Sequence, residues 1–120
     1  HYIVVENQGE WLLTKRGEGD VWANMYEFPL IETPGNIDLE ELMALPEYQR
    51  CFGEAKIIPL TEPIKHILSH QNIYARFYQL QDPALFTEKN PQWNYYNSDN
   101  LDKLAKHKLI FSFINKYIMN

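Results

Sequence analysis

The run Lys65-His66-Ile67-Leu68-Ser69-His70 concentrates more side chains capable of chemistry than any other part of this chain. His66 and His70 are four residues apart. On a helix that spacing puts both imidazoles on one face, where they could grip one zinc ion. On a strand they share a face but stand about 13 Å apart, too far for one ion. The apolar-rich, β-branched surroundings favour a strand, so the pair reads as two partly exposed, hydrogen-bonding histidines. Ser69 next to His70 does not make a nucleophile. A triad needs a base aimed at the hydroxyl and a third group orienting that base, and no Gly-x-Ser-x-Gly pattern occurs. The single Cys51 excludes an internal disulfide and a cysteine-only metal site, and it fits a reducing compartment. Glu40 and Glu41 are adjacent, so on a helix they point about 100° apart. They read as a solvated acidic face near the helix N-terminus. His107 lies in a basic stretch near the C-terminal helix.

The elements that must position these residues follow from periodicity and punctuation. Tyr2 to Glu6 and Trp11 to Lys15 predict a β-hairpin around Asn7-Gln8-Gly9-Glu10. Arg16 to Asp20 is a loop. Trp22 to Glu32 carries large apolar residues, but Pro29 argues against a central strand. Thr33-Pro34-Gly35-Asn36 breaks the chain. Asp38 to Leu45 predicts a short helix with acidic residues in its first turn, where the helix dipole favours them. Pro46 ends it or starts a new turn. Ile57 to Leu60 is a strand. Ile64 to Leu80 is strand-like, with period two over Ile73 to Tyr78, and its polar centre, Leu68 to Asn72, can be a turn between two strands. Asp82 to Gln92 is a loop, and Trp93 to Tyr96 a short strand. Asn97-Ser98-Asp99 caps a helix at Leu101 to Ala105. Leu109 to Ile118 predicts a closing helix with Ile110, Phe113, Ile114 and Tyr117 on one stripe. Strands mixed with short helices, without a βαβ rhythm, indicate an α+β fold.

At 120 residues the chain is expected to be one domain, 1–120, with one core. Its composition, 45% hydrophobic and 14% aromatic, is that of a globular protein rather than a disordered one. No apolar run approaches the ~20 residues of a membrane helix. The chain opens on His1 in a strand-like run without a signal-peptide pattern, and is expected to be part of a longer protein. A formal charge of −5 is awkward for a DNA binder, because phosphate contacts supply most sequence-independent affinity. Any DNA contact here needs a more basic partner domain in the same polypeptide.

Two stretches carry a family resemblance. Gly19 to Pro29 looks like the glycine, tryptophan and Glu-Phe-Pro lead-in of Nudix hydrolases. Those enzymes follow it with an Arg-Glu-x-x-Glu-Glu helix, whose carboxylates hold Mg²⁺ against a diphosphate. Here the helix is Asp38-Leu39-Glu40-Glu41-Leu42, with no arginine in place and no glutamate one turn away. Hydrolysis of that kind is not expected. Trp22-Ala23-Asn24-Met25-Tyr26-Glu27-Phe28-Pro29 followed by Lys65-His66-Ile67-Leu68-Ser69-His70 resembles the C-terminal domain of MutY-type adenine DNA glycosylases. That family has a basic residue, His, two variable or apolar positions, Ser or Thr, then His. Leu68 stands where many members carry phenylalanine, which keeps an apolar wedge without an aromatic face. Trp11 to Arg16, Trp93 and the late helix are similar too, so the resemblance spans nearly the whole chain.

The resemblance implies a Nudix-like α+β fold, a mixed sheet with a few short flanking helices. It implies a domain that reads 8-oxoguanine opposite adenine in duplex DNA during base excision repair. A separate N-terminal domain, with a helix-hairpin-helix, catalytic carboxylates and an iron–sulfur cluster, would excise the flipped adenine. It further implies no catalytic residue, metal or cofactor in this stretch, a lesion- and DNA-binding set of Lys65, His66, Leu68, Ser69 and His70, and a cytoplasmic location. Ser69 has a chemical reason to be there. Guanine N7 is an acceptor; oxidation at C8 makes it an N–H donor and adds an oxygen. A hydroxyl can accept from that N–H, while a backbone amide meets the oxygen. A different class stays open: a Nudix-like module that binds a small molecule or a protein, or a hydrolase of nucleoside diphosphate derivatives, because fold does not set function. A helix-hairpin-helix and four cysteines upstream would separate the two.

Overall fold

The computed structural model describes residues 1–17, 22–67, 72–83 and 90–118. The first hairpin forms only in its second half. β2 (Glu6–Asn7) pairs antiparallel with β3 (Glu10–Lys15), Glu6 opposite Trp11 and Asn7 opposite Glu10. Gln8 and Gly9 connect them with φ of 54° and 78°. Two successive left-handed residues make a primed turn, whose twist matches that of the flanking strands. The expected partner of Trp11 to Lys15, the run from Tyr2, instead leaves for another sheet. β1 (Tyr2–Val4) lies parallel to β8 (Phe77–Leu80), with Tyr2 opposite Phe77. All three β1 residues are buried, so this strand needs cover on both faces, which a solvent-facing hairpin cannot provide.

β8 is the centre of a three-stranded sheet, with β1 on one side and β5 (Ile57–Pro59) antiparallel on the other. In the second sheet β9 (Trp93–Asn97) runs along one whole edge of β3. β2 and the two-residue β4 (Tyr26–Glu27) share the other edge. The reading of Pro29 holds. The segment contributes only β4 to that sheet, and the Pro29 carbonyl accepts from the Ile3 amide at 2.9 Å beside β1. β6 (Ile64–Ile67) and β7 (Asn72–Ala75) form a separate two-stranded ribbon.

The helices cover both faces. α1 (Leu39–Ala44) starts with a capping box: the Asp38 side chain accepts from the Glu41 amide, and the Glu41 side chain accepts from the Asp38 amide. Pro46 opens α2 (Pro46–Phe52) rather than merely ending α1, because a first-turn position has no amide hydrogen bond to lose. α3 (Ser98–Lys103) begins three residues earlier than expected, capped by the Asn97 side chain on the Asn100 amide. α4 (Lys108–Tyr117) buries Leu109, Ile110, Phe113 and Ile114. Tyr117, placed on that stripe from sequence, is 46% exposed and only stacks on the edge of the core at Phe113.

Alternation along β1, β3 and β8 divides the core in two. Tyr2, Val4, Leu13 and Phe77 join α3 and α4 on one face. Ile3, Leu12, Tyr78 and Leu80 join α1 and α2 on the other. The period-two pattern of Ile73 to Tyr78 therefore breaks into β7 and β8. Phe77 and Tyr78 are both buried, because β8 has a hydrophobic layer on each face. Mixed sheets with short flanking helices agree with the α+β expectation.

Candidate functional site

The β6–β7 ribbon carries the described part of the Lys65–His70 motif. Residues directly opposite in an antiparallel pair share a face. Lys65 opposes Tyr74 and Ile67 opposes Asn72, and all four are exposed. Ile64 opposes Ala75 and His66 opposes Ile73, on the inner, covered face. Ile67 is 70% and Tyr74 57% exposed, and the Lys65 ammonium sits 6.0 Å from the Tyr74 ring. The outer face thus offers a cation, an aromatic ring, an amide and an apolar side chain. Sequence grouped Lys65 with His66, but a strand sends neighbours to opposite faces. β6 ends at Ile67 and β7 begins at Asn72. Leu68, Ser69 and His70 fall outside the described residues.

His66 meets the other motif. Its ring lies 6.0 Å from that of Trp22, tilted by 58°. Trp22 is in turn stacked on His107, at 3.7 Å between centroids and 8° between planes. The Arg16 guanidinium carbon lies 5.8 Å from the Trp22 ring.

Beneath this stack sits Glu27, only 4% exposed. A buried carboxylate requires partners. Arg16 Nη1 donates to its Oε2 at 2.7 Å, and the Tyr2 hydroxyl donates to Oε1 at 3.2 Å. His107 Nε2 lies 3.6 Å from the same Oε1. Burial and the Glu27 charge push the Tyr2 phenol far above its ordinary range, so it remains a donor. Sequence reasoning marked Glu27 only as part of Glu-Phe-Pro. It missed Tyr2, Arg16 and His107 as its partners. Arg16 and Glu27 both sit in motif segments, at the end of β3 and in the facing β4, which is a signal. His107 lies eighty positions away at the start of α4, and nothing local marks it.

Two clefts flank this network. One, about 480 Å³, is lined by Arg16, Trp22, Glu32, Asn72, Tyr74 and Arg76 among others. It therefore lies along the ribbon and on the Trp22 side of the stack. The other, about 540 Å³, includes Glu27, Glu32, Glu47, Cys51 and Trp93. Its chemistry is restrained. Burial and then the Glu47 charge push the Cys51 thiol up, away from thiolate reactivity. Glu41 is committed to its capping box. Among the described residues no three or more His, Cys, Asp or Glu side chains are grouped to hold a metal ion. No helix among them is long and apolar enough to cross a membrane.

A mixed sheet between two helical layers, with an edge ribbon anchored on the Trp22 segment, is a Nudix-like arrangement. The chain belongs to the NUDIX domain family, whose model matches residues 1–116. That is the type found as the C-terminal domain of MutY, in agreement with the resemblance read from Trp22 to Pro29 and Lys65 to His70. Among solved structures it is similar to the C-terminal domain of mouse MUTYH, determined in complex with human PCNA. The likeness has a TM-score of 0.68 at 21% identity, over 97% of this chain and 83% of that one. No curated protein matches the chain.

Proposed function

We propose that this domain reads 8-oxoguanine opposite adenine in duplex DNA, as the lesion-recognition part of an adenine DNA glycosylase whose chemistry resides in another domain. The observation that carries the reading is the contact of His66 with Trp22. It joins the two sequence motifs in space and seats the inner face of the ribbon on a buried network. The outer face is left free for a ligand, with Lys65 for a phosphate and Tyr74 and Ile67 for an apolar contact. Ser69 would accept from the N7–H that distinguishes the lesion from guanine. The formal charge of −5 means that this domain alone binds DNA weakly, and that a basic partner domain supplies most of the affinity. The PCNA complex of the mouse domain also supports a protein partner.

The test is single-turnover adenine excision by the full-length polypeptide from 8-oxoguanine:adenine and guanine:adenine pairs. Ser69→Ala should lower the preference for the lesion by about 2- to 13-fold, the range for one lost hydrogen bond. His70→Ala in addition should deepen the loss. An unchanged preference in the folded double variant would return this segment to a structural turn. Mg²⁺-dependent turnover of a nucleoside triphosphate, abolished by Glu40→Gln or Glu41→Gln, would establish a hydrolase instead.

A further inference from the structure

We infer that His107 is a positioning residue for the recognition ribbon, acting through the Trp22 indole on His66. This rests on the reading of the ribbon as the recognition element. The geometry is a relay of three rings. His107 is held beside Glu27, with Nε2 3.6 Å from Oε1, and is 3% exposed. Neither of its ring nitrogens has a hydrogen-bond partner among the described residues. The side chain also does not cap α4, although His107 occupies the N-cap position. Around the ring lie the Glu27 carboxylate, the Tyr2 ring at 6.5 Å and the Trp22 face, against which it lies nearly parallel. A parallel stack constrains the plane of the indole, and the same indole meets His66 on the inner face of β6 at 6.0 Å.

Among the described residues, β6 and β7 pair only with each other and belong to neither larger sheet. The backbone anchors the ribbon at one end, where Arg76 joins β7 to β8 and its carbonyl accepts from the Tyr2 amide at 2.8 Å. Away from that end, side-chain contacts on the inner face act on its tilt, and the Trp22–His66 contact is one of them. A change in the indole plane therefore changes the angle at which the outer face of the ribbon, with Lys65, Ile67 and Tyr74, is presented.

Two variants test this in the full-length polypeptide. His107→Phe keeps a flat ring on Trp22. His107→Leu fills similar space without one. The lesion preference should survive His107→Phe and fall about 2- to 13-fold in His107→Leu, the range for losing one aromatic pair. Adenine excision at saturating enzyme should be unchanged in both. The His66 ring-proton shifts, which sense the Trp22 ring current, should move in His107→Leu and return towards wild type in His107→Phe. Trp22→Leu should mimic His107→Leu, and the double variant should be no worse than either alone, because both break one relay. If a His107 variant does not fold, Trp22→Leu decides the matter on the same readouts. Wild-type preference and wild-type His66 shifts in His107→Leu or Trp22→Leu, with Ser69→Ala impaired, would overturn the positioning role. If Ser69→Ala is also unimpaired, the recognition reading itself has failed.

Discussion

Glu27→Ala should be among the most damaging single substitutions in this protein. The carboxylate is almost fully buried and holds the Arg16 guanidinium at 2.7 Å, with the Tyr2 hydroxyl and the His107 ring on its other oxygen. Removing one member of a buried charged pair leaves the others desolvated without compensation, at about 3–5 kcal/mol. Total stability for a domain is about 5–15 kcal/mol, so this is a large share. With about 2.1 cal/mol/K of unfolding entropy per residue, a chain of this length loses about 4 °C per kcal/mol, or roughly 12–20 °C in all. Glu27→Gln keeps the shape and one acceptor, and should cost less, about 1–3 kcal/mol. Arg16→Met should cost about as much as Glu27→Ala, because it leaves the more deeply buried Glu27 carboxylate without its cation. Urea titration by tryptophan fluorescence, checked by thermal melts followed by circular dichroism, measures all three. A loss below about 1 kcal/mol for Glu27→Ala would show that water or local rearrangement satisfies Arg16 and His107, and that the network does not brace the site as argued.

Asp38→Ala should lower stability by about 1 kcal/mol by removing the α1 cap, and Glu41→Ala by less, both read from urea midpoints. Gln8→Asn should raise stability by a few tenths of a kcal/mol to about 1 kcal/mol, because asparagine tolerates the left-handed backbone at φ 54° better than glutamine. A lower midpoint would contradict the primed-turn assignment. Burial pushes the Tyr48 phenol up to about 12 from its ordinary 10, and pushes Tyr2 up further. A phenol raised in the folded state keeps its proton while the unfolded chain loses one. Stability should therefore decline from pH 10 to 12 and beyond, partly offset by Lys106, whose ammonium burial pulls down. Stability measured against pH should show a shallower decline in Tyr48→Phe.

Local chemistry was legible in the sequence wherever neighbours along the chain decide the structure. Asp38 and the acidic residues after it announce a helix start, and the structure adds the capping box between Asp38 and Glu41. Gln8-Gly9 announces a turn, Pro29 excludes a ladder position, and the spacing of Ile110, Phe113 and Ile114 gives the buried side of α4. The motif segments Trp22 to Pro29 and Lys65 to His70 were visible because residue identity alone carries a family resemblance. Tertiary structure decided what sequence separation hides. Tyr2 to Val4 has the look of a hairpin arm, yet it crosses to a parallel partner seventy-five positions away, because only there are both of its faces covered. Lys65 and His66 read as one site, but the ribbon's register sends them to opposite faces. His107 had no local signature at all. Its significance comes from a carboxylate and an indole that long-range packing delivers to it, since burying the Glu27 charge requires partners from wherever the fold can supply them.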